Sequence, residues 1–326
     1  MLKYKTVFKI KAKKGSASAV KNPAPCRLTV TVHREGPVEI AYNPSKPPHV
    51  FFDTNVLLGL SKAGLESLQR LQANRGFRYR YSMLNYTELL SHLGDEPSTK
   101  YPNPFRRYQV TFQKLTQLFD SVLPSAESIF MQAVGLKHYL DPVWLVDPLD
   151  IAKQVEIIAA ARNVEELLKY RIDPAHYKKL REVDGNSFVS MMKPVKTFTT
   201  GMGEGHEWGT WLGRFYSFMI FRASSRKTSF GKIAKKEQLR VIKYFDEAGG
   251  GMVLNHLKLL VKKAVKDGRK EYANDFYDML QLLLLSDENR LFVTSDKPFF
   301  EYYAGPTRHR VVPWEGFKAS ADLLVS

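Results

Sequence analysis

The sequence predicts an α/β protein built on a parallel sheet. Two apolar runs stop abruptly on an aspartate, at residues 50–53 and 291–296, as buried strands do when they end at a sheet rim. Strand and helix patterns alternate over residues 49–95, and the alternation returns near the end of the chain. Such βαβα runs build parallel sheets.

The elements follow in order. Residues 3–13 and 27–33 alternate polar and apolar at period two and read as half-buried strands. With the proline-rich linker Asn43–Pro48 they make residues 1–48 a small basic β-extension. His49–Phe52 reads as a buried strand, with Thr54 or Asp53 starting a helix that carries Val56, Leu57, Leu60, Leu65, Leu68 and Leu71 at helical spacing. Phe77–Tyr81 is the next strand and Met83–Leu93 the next helix, completing a first sheet part over 49–99.

Residues 100–240 change character. Amphipathic stretches such as Phe112–Leu123, Ile151–Tyr170 and Lys235–Phe245, separated by Pro and Gly clusters, predict a helical insertion. The glycine-rich stretch Thr199–His206 does not lead into Gly-Lys-Ser/Thr, which argues for a mobile loop and against a phosphate loop. Residues 241–326 return to the sheet: Asp275–Leu285 helix, Leu291–Thr294 strand, Pro298–Tyr303 short helix, Arg310–Val312 strand.

Charge narrows the function classes. The chain of 326 residues carries 49 Lys+Arg against 33 Asp+Glu, a formal net charge of +16. The excess concentrates in residues 1–48, net +8, and 222–270, net +10. Lysine-rich blocks suit a polyanion gripped by its backbone, although a solvated helix face has the same composition. Arg226, Lys235, Lys236, Lys262 and Lys263 are the candidate phosphate contacts in the second block. No apolar run reaches the roughly 18–20 residues that span a bilayer, so no membrane partner is expected. The single cysteine, Cys26, excludes an internal disulfide and fits a reducing cytoplasm.

The acids carry the chemistry. Asp53 and Asp296 follow strand runs, Glu88 lies on the helix after the second strand, and Asp275 and Asp278 share one helical face. Above a parallel sheet these side chains can converge on one pocket. Gathered carboxylates repel unless a cation lies between them, and hard oxygen donors suit Mg²⁺ or Mn²⁺. Asn55 is placed to orient a ligand water or carboxylate, with Thr54, Thr294 and Ser295 beside the acids as further supports. Each acid also has an ordinary role: Asp53 and Asp296 as helix caps, Glu88 as a surface residue. Trp208, Trp211 and Tyr216 are candidates either for core packing or for base stacking.

The stretch Val50-Phe51-Phe52-Asp53-Thr54-Asn55-Val56-Leu57 resembles the first motif of PIN-domain ribonucleases, and Tyr81–Leu89, ending in Glu88-Leu89, resembles the second. Asn274–Asp278 followed by Leu291–Asp296 is similar to the third and fourth, with Asp278 favoured as third acid and Asp275 auxiliary. The resemblance implies a three-layer α/β/α fold, Mg²⁺ or Mn²⁺ held by Asp53, Glu88, Asp275, Asp278 and Asp296, and hydrolysis of RNA. Asp53, Glu88, Asp278 and Asp296 would then be catalytic, and Lys297 would meet a phosphate. The chain departs from minimal members in its long interval between Glu88 and Asp278 and in its basic β-extension.

A metal-dependent endoribonuclease is therefore the expectation. A structure-specific DNA nuclease and a non-catalytic nucleic-acid-binding scaffold are the alternatives, and a homo-oligomer is left open. A phosphatase with an aspartate nucleophile is disfavoured, because Asn55 stands where its second aspartate belongs.

Overall fold

The computed structural model describes residues 26–32, 36–43, 45–193, 206–266, 273–296, 299 and 310–322. The strand expected over 3–13, the loop over Thr199–Gly205, Lys297 and most of the short helix over 298–303 lie outside these residues.

The chain opens with an antiparallel hairpin, β1 (Cys26–Val32) and β2 (Gly36–Tyr42), in register from Cys26↔Tyr42 to Val32↔Gly36. The period-two set Val38, Ile40 and Tyr42 is its second strand. Ile40 and Tyr42 are buried, and Tyr42 packs its ring 5.1 Å from Phe77. The basic extension is thus anchored to the body of the protein by apolar contact.

The central sheet has five parallel strands in the order β5-β4-β3-β6-β7: β3 (His49–Phe52), β4 (Arg78–Tyr81), β5 (Ser121–Val122), β6 (Arg290–Thr294) and β7 (Val311–Pro313). Both faces are covered. Phe51 and Phe292 stack at 4.9 Å in one apolar core, while Val50, Phe52, Leu291, Val293 and Val312 point into a second core on the opposite face. Burial on both sides explains the near-continuous apolar runs. Tyr79 survives full burial because its hydroxyl donates to Leu68 O at 2.9 Å.

Between β3 and β4 the helix expected as one piece is two, α1 (Thr54–Gly59) and α2 (Lys62–Arg75). Ser61 breaks it by accepting the Gly64 N–H, a cap that starts a new axis. Gly76 ends α2 at φ +69°, where a side chain would be strained. Helix α3 (Met83–Ser91) follows β4.

The insertion is not wholly helical, which corrects the stretch Phe112–Leu123. Helix α4 (Pro104–Leu118) stops at Phe119, whose ring packs on Phe52, Tyr79 and Tyr81, and the chain then adds β5 to the sheet edge. After α5 (Ala126–Ala133), the stretch Ile151–Tyr170 is also two helices, α6 (Pro148–Ala160) and α7 (Val164–Lys169), parted where Asn163 caps the second. Helices α8 (Pro174–Met192), α9 (His206–Ala223), α10 (Lys235–Asp246), α11 (Ala248–Lys266) and α12 (Ala273–Leu283) complete the excursion, and α13 (Trp314–Asp322) follows β7. Trp208, Trp211 and Tyr216 on α9 are buried, with Trp208 stacked on Trp211 at 5.2 Å, so their role is core packing. Among the described residues, no helix is long and apolar enough to cross a membrane.

Candidate functional site

In an open parallel sheet, ligands bind outside the strand C-termini where the strand order reverses. Here successive strands run outward from β3 to β5 on one side, and the chain then returns to lay β6 and β7 on the other. The reversal lies between β3 and β6. Asp53 directly follows β3, and Ser295-Asp296 follow β6.

Asp53 stands at the N-cap of α1 yet makes no side-chain cap bond, which sets aside the capping role. Its carboxylate accepts instead from Thr294 Oγ1 at 3.1 Å and from Gln281 Nε2 at 3.5 Å. Burial, then Glu88, then Asp296 push its pKa up to about 6 against the pull of those two bonds. Thr294 is itself held, since its hydroxyl oxygen accepts the Asp296 N–H at 2.9 Å. That bond sets the backbone turn carrying Asp296, which is half-buried.

Glu88 is half-buried on α3 and accepts from Thr54 Oγ1 at 2.7 Å. Asn85 Nδ2 donates to Thr54 Oγ1 and to Phe52 O, both at 3.1 Å. The same Asn85 closes the capping box of α3 with Ser82. One amide therefore ties the end of β3, the start of α1 and the helix bearing Glu88 into a fixed frame. Arg181 Nη1 on α8 lies 3.8 Å from Glu88 Oε2.

Asp275 and Asp278 come from α12. The Asp278 carboxyl is held well above the usual carboxylate range, first by burial and then by Asp53, Asp296, Asp275 and Glu88. Five acids from four parts of the chain thus share one electrostatic neighbourhood. They do not form a finished cage: among the described residues, no three His, Cys, Asp or Glu side chains stand close enough to hold a metal ion as they are.

Of the expected supports, Thr54 and Thr294 touch the acids, while Asn55 and Ser295 are exposed. Asn85, Gln281 and Arg181 are the supports that sequence reasoning missed. Asn85 had a readable signal, as a polar residue one turn before Glu88 on the same helix face, and so had Gln281, one turn after Asp278 on α12; Arg181 reaches the site from the insertion and carries none. Of the basic candidates, Arg226, Lys235, Lys236 and Lys262 are exposed and Lys263 is half-buried. Arg222, counted in the same basic block, is instead buried with Glu127 and Asp184. Compared with protein-family models, curated proteins and solved structures, the chain has no match.

Proposed function

We propose that this chain is a metal-dependent nuclease with a PIN-like α/β/α arrangement, hydrolysing phosphodiester bonds of RNA. The observation that carries the reading is the gathering of Asp53, Glu88, Asp275, Asp278 and Asp296 at the strand-order reversal, with the Asp53 and Asp278 carboxyls buried among them. Buried like charges at such a place are costly unless protonated or bridged by a cation.

The donor set fits Mg²⁺ or Mn²⁺ chemically: carboxylate oxygens only, at a sheet rim. Asp53, Glu88, Asp278 and Asp296 would hold the ion, with Asp275 adjoining. A bound ion there would supply hydroxide near neutral pH and would neutralise charge growing on the phosphate. The chain's own groups do the positioning. Thr294 and Gln281 fix the Asp53 carboxylate, and Thr54, steadied by Asn85, fixes Glu88. Water would add to phosphorus, giving up one proton, as the P–O bond to the leaving sugar oxygen breaks and that oxygen takes up a proton, and the basic surface segments would bind neighbouring phosphates without sequence choice.

A second reading, a non-catalytic nucleic-acid-binding scaffold, draws on the spacing of the acids, which falls short of a ready-made cage. Cleavage of labelled single-stranded RNA and of matched DNA, with Mg²⁺ or Mn²⁺ and with EDTA, separates the readings. Metal-dependent RNA cleavage that falls by about 10²-fold or more in both Asp53→Asn and Asp296→Asn, with folding intact, is the expected result. Cleavage of DNA in preference to RNA moves the substrate. No cleavage of either by folded wild type leaves the scaffold.

A further inference from the structure

A cavity of about 730 Å³ lies beside the acidic residues, walled by α3, α5, α8, α9 and the 3-10 turn Pro142–Trp144. That volume falls within the range of small-ligand sites, roughly 300–1,000 Å³. Arg181 forms the partition between cavity and acids. It lines the cavity, lies over the Tyr277 ring at 4.1 Å, and places Nη1 3.8 Å from Glu88 Oε2. Among the described residues that buried Nη1 has no hydrogen-bond partner.

Deeper in, a buried ionic group is left partly unsatisfied. Arg222 donates from Nη2 to Asp184 Oδ2 at 2.7 Å, pairs with Glu127, and lies over the Trp144 ring at 4.5 Å. Its buried Nε has no hydrogen-bond partner among the described residues. Buried polar groups left without partners are costly, and here they border an opening. At the mouth Phe221 is 50% exposed, with Lys227 Nζ 5.6 Å from its ring centre, and Leu180 and Val183 are exposed beside it. Large apolar side chains exposed around a concavity mark a binding site.

We propose that this cavity is a base-binding subsite for single-stranded nucleic acid, which takes the base of a nucleotide adjoining the scissile phosphate. Phe221 is its stacking platform, and Arg181 and Lys227 meet the flanking phosphates. The identity of the ligand rests on the nuclease reading. Three features favour a nucleotide over an apolar peptide. Aromatic and cationic groups adjoin at the mouth, the combination by which single strands are held. The interior offers an unpaired donor, Arg222 Nε, which an acceptor on a base edge can meet and an aliphatic side chain would leave unpaired. Arg181 also joins the cavity directly to Glu88.

The test is binding of short single-stranded RNAs in EDTA, read by fluorescence anisotropy, with an abasic residue or 2-aminopurine moved position by position. One position should stand out: the abasic residue there costs about tenfold in affinity, and 2-aminopurine there is quenched on binding. Phe221→Ser, with folding checked by its melting temperature, should lose a similar factor and become indifferent to the abasic position. Leu180→Ser provides a second variant at the mouth. A flat abasic scan, or wild-type affinity in both variants, overturns the subsite. So does displacement of the quenched signal's site by an apolar peptide that RNA fails to compete away. Binding is read without cleavage, so the two readings fail separately. Base insertion without Mn²⁺-dependent cutting sinks the nuclease alone, and cutting with a flat scan sinks the subsite alone.

Discussion

Asp53 shows how one side chain can work against the stability of its own fold. The unfolded chain ionises it near 3.8, whereas burial, Glu88 and Asp296 lift the folded value to about 6. The folded state therefore binds the proton more tightly between those values. Its contribution is most favourable below about pH 4 and is lost as pH rises through about 6, a change of roughly 1–3 kcal/mol near neutrality. Asp53→Asn cannot ionise, so the metal-free variant should gain stability over wild type of that order near pH 7 and little near pH 4. Urea unfolding in EDTA at both values reads this directly. A variant offset from wild type by the same amount at both would show that Asp53 is not held above its unfolded pKa, and a constant loss would measure the Thr294 and Gln281 bonds.

Single elements explain where the sequence was legible and where it was not. The strand over His49–Phe52 and the helix bearing Glu88 are readable because their apolar patterns are local. The break between α1 and α2 has its cap, Ser61, in plain view, yet the leucine period runs through it without a change of spacing. Strand β5 is two residues long and exists because Phe119 is drawn onto the aromatic face of β3 and β4, a contact no local pattern carries. Within α3, Asn85 is the element's anchor, joining its cap to the end of β3. Asn85→Ala should destabilise the protein by about 2–4 kcal/mol, from the lost cap and two unreplaced buried bonds. Thermal or urea unfolding measures that loss. On the proposed nuclease reading, cleavage should fall further than the unfolded fraction explains, since Thr54, the partner of Glu88, is no longer steadied; cleavage tracking the folded fraction alone would deny Asn85 any positioning part.

At the scale of the molecule, a chain of net charge +16 carries a small acidic centre. Helix α10 opens on Lys235 and Lys236, both exposed at the end where the helix dipole disfavours cations. That placement costs stability and is consistent with a use for the charge elsewhere. Lys235→Glu/Lys236→Glu should therefore stabilise the fold by about 0.3–1 kcal/mol per site. It should also weaken RNA binding and lower the slope of log K against log salt by about one to two. Anisotropy titrations over a salt series, beside a melting curve, read both effects; an unchanged slope would remove α10 from the proposed nucleic-acid surface. Arg222 shows the limit of charge counting, because it belongs to the same basic block but is buried against Asp184 and Glu127.

The sequence by itself determined that the core is an α/β sheet, because burial on both faces writes continuous apolar runs that must end at polar rims. It also determined which acids stand at those rims, since a strand's last residue is a local property. Only the tertiary structure decided that β3 and β6 are neighbours, as their pairing joins residues some 240 apart through bonds that carry no sequence signature. It alone decided that Asp53 is oriented by Thr294 and Gln281, and that Arg181 and Arg222 line a cavity. A lysine or arginine is charged wherever it lies; what surrounds it is settled by packing between helices far apart in the chain, and that decides whether the charge grips a ligand or a buried carboxylate.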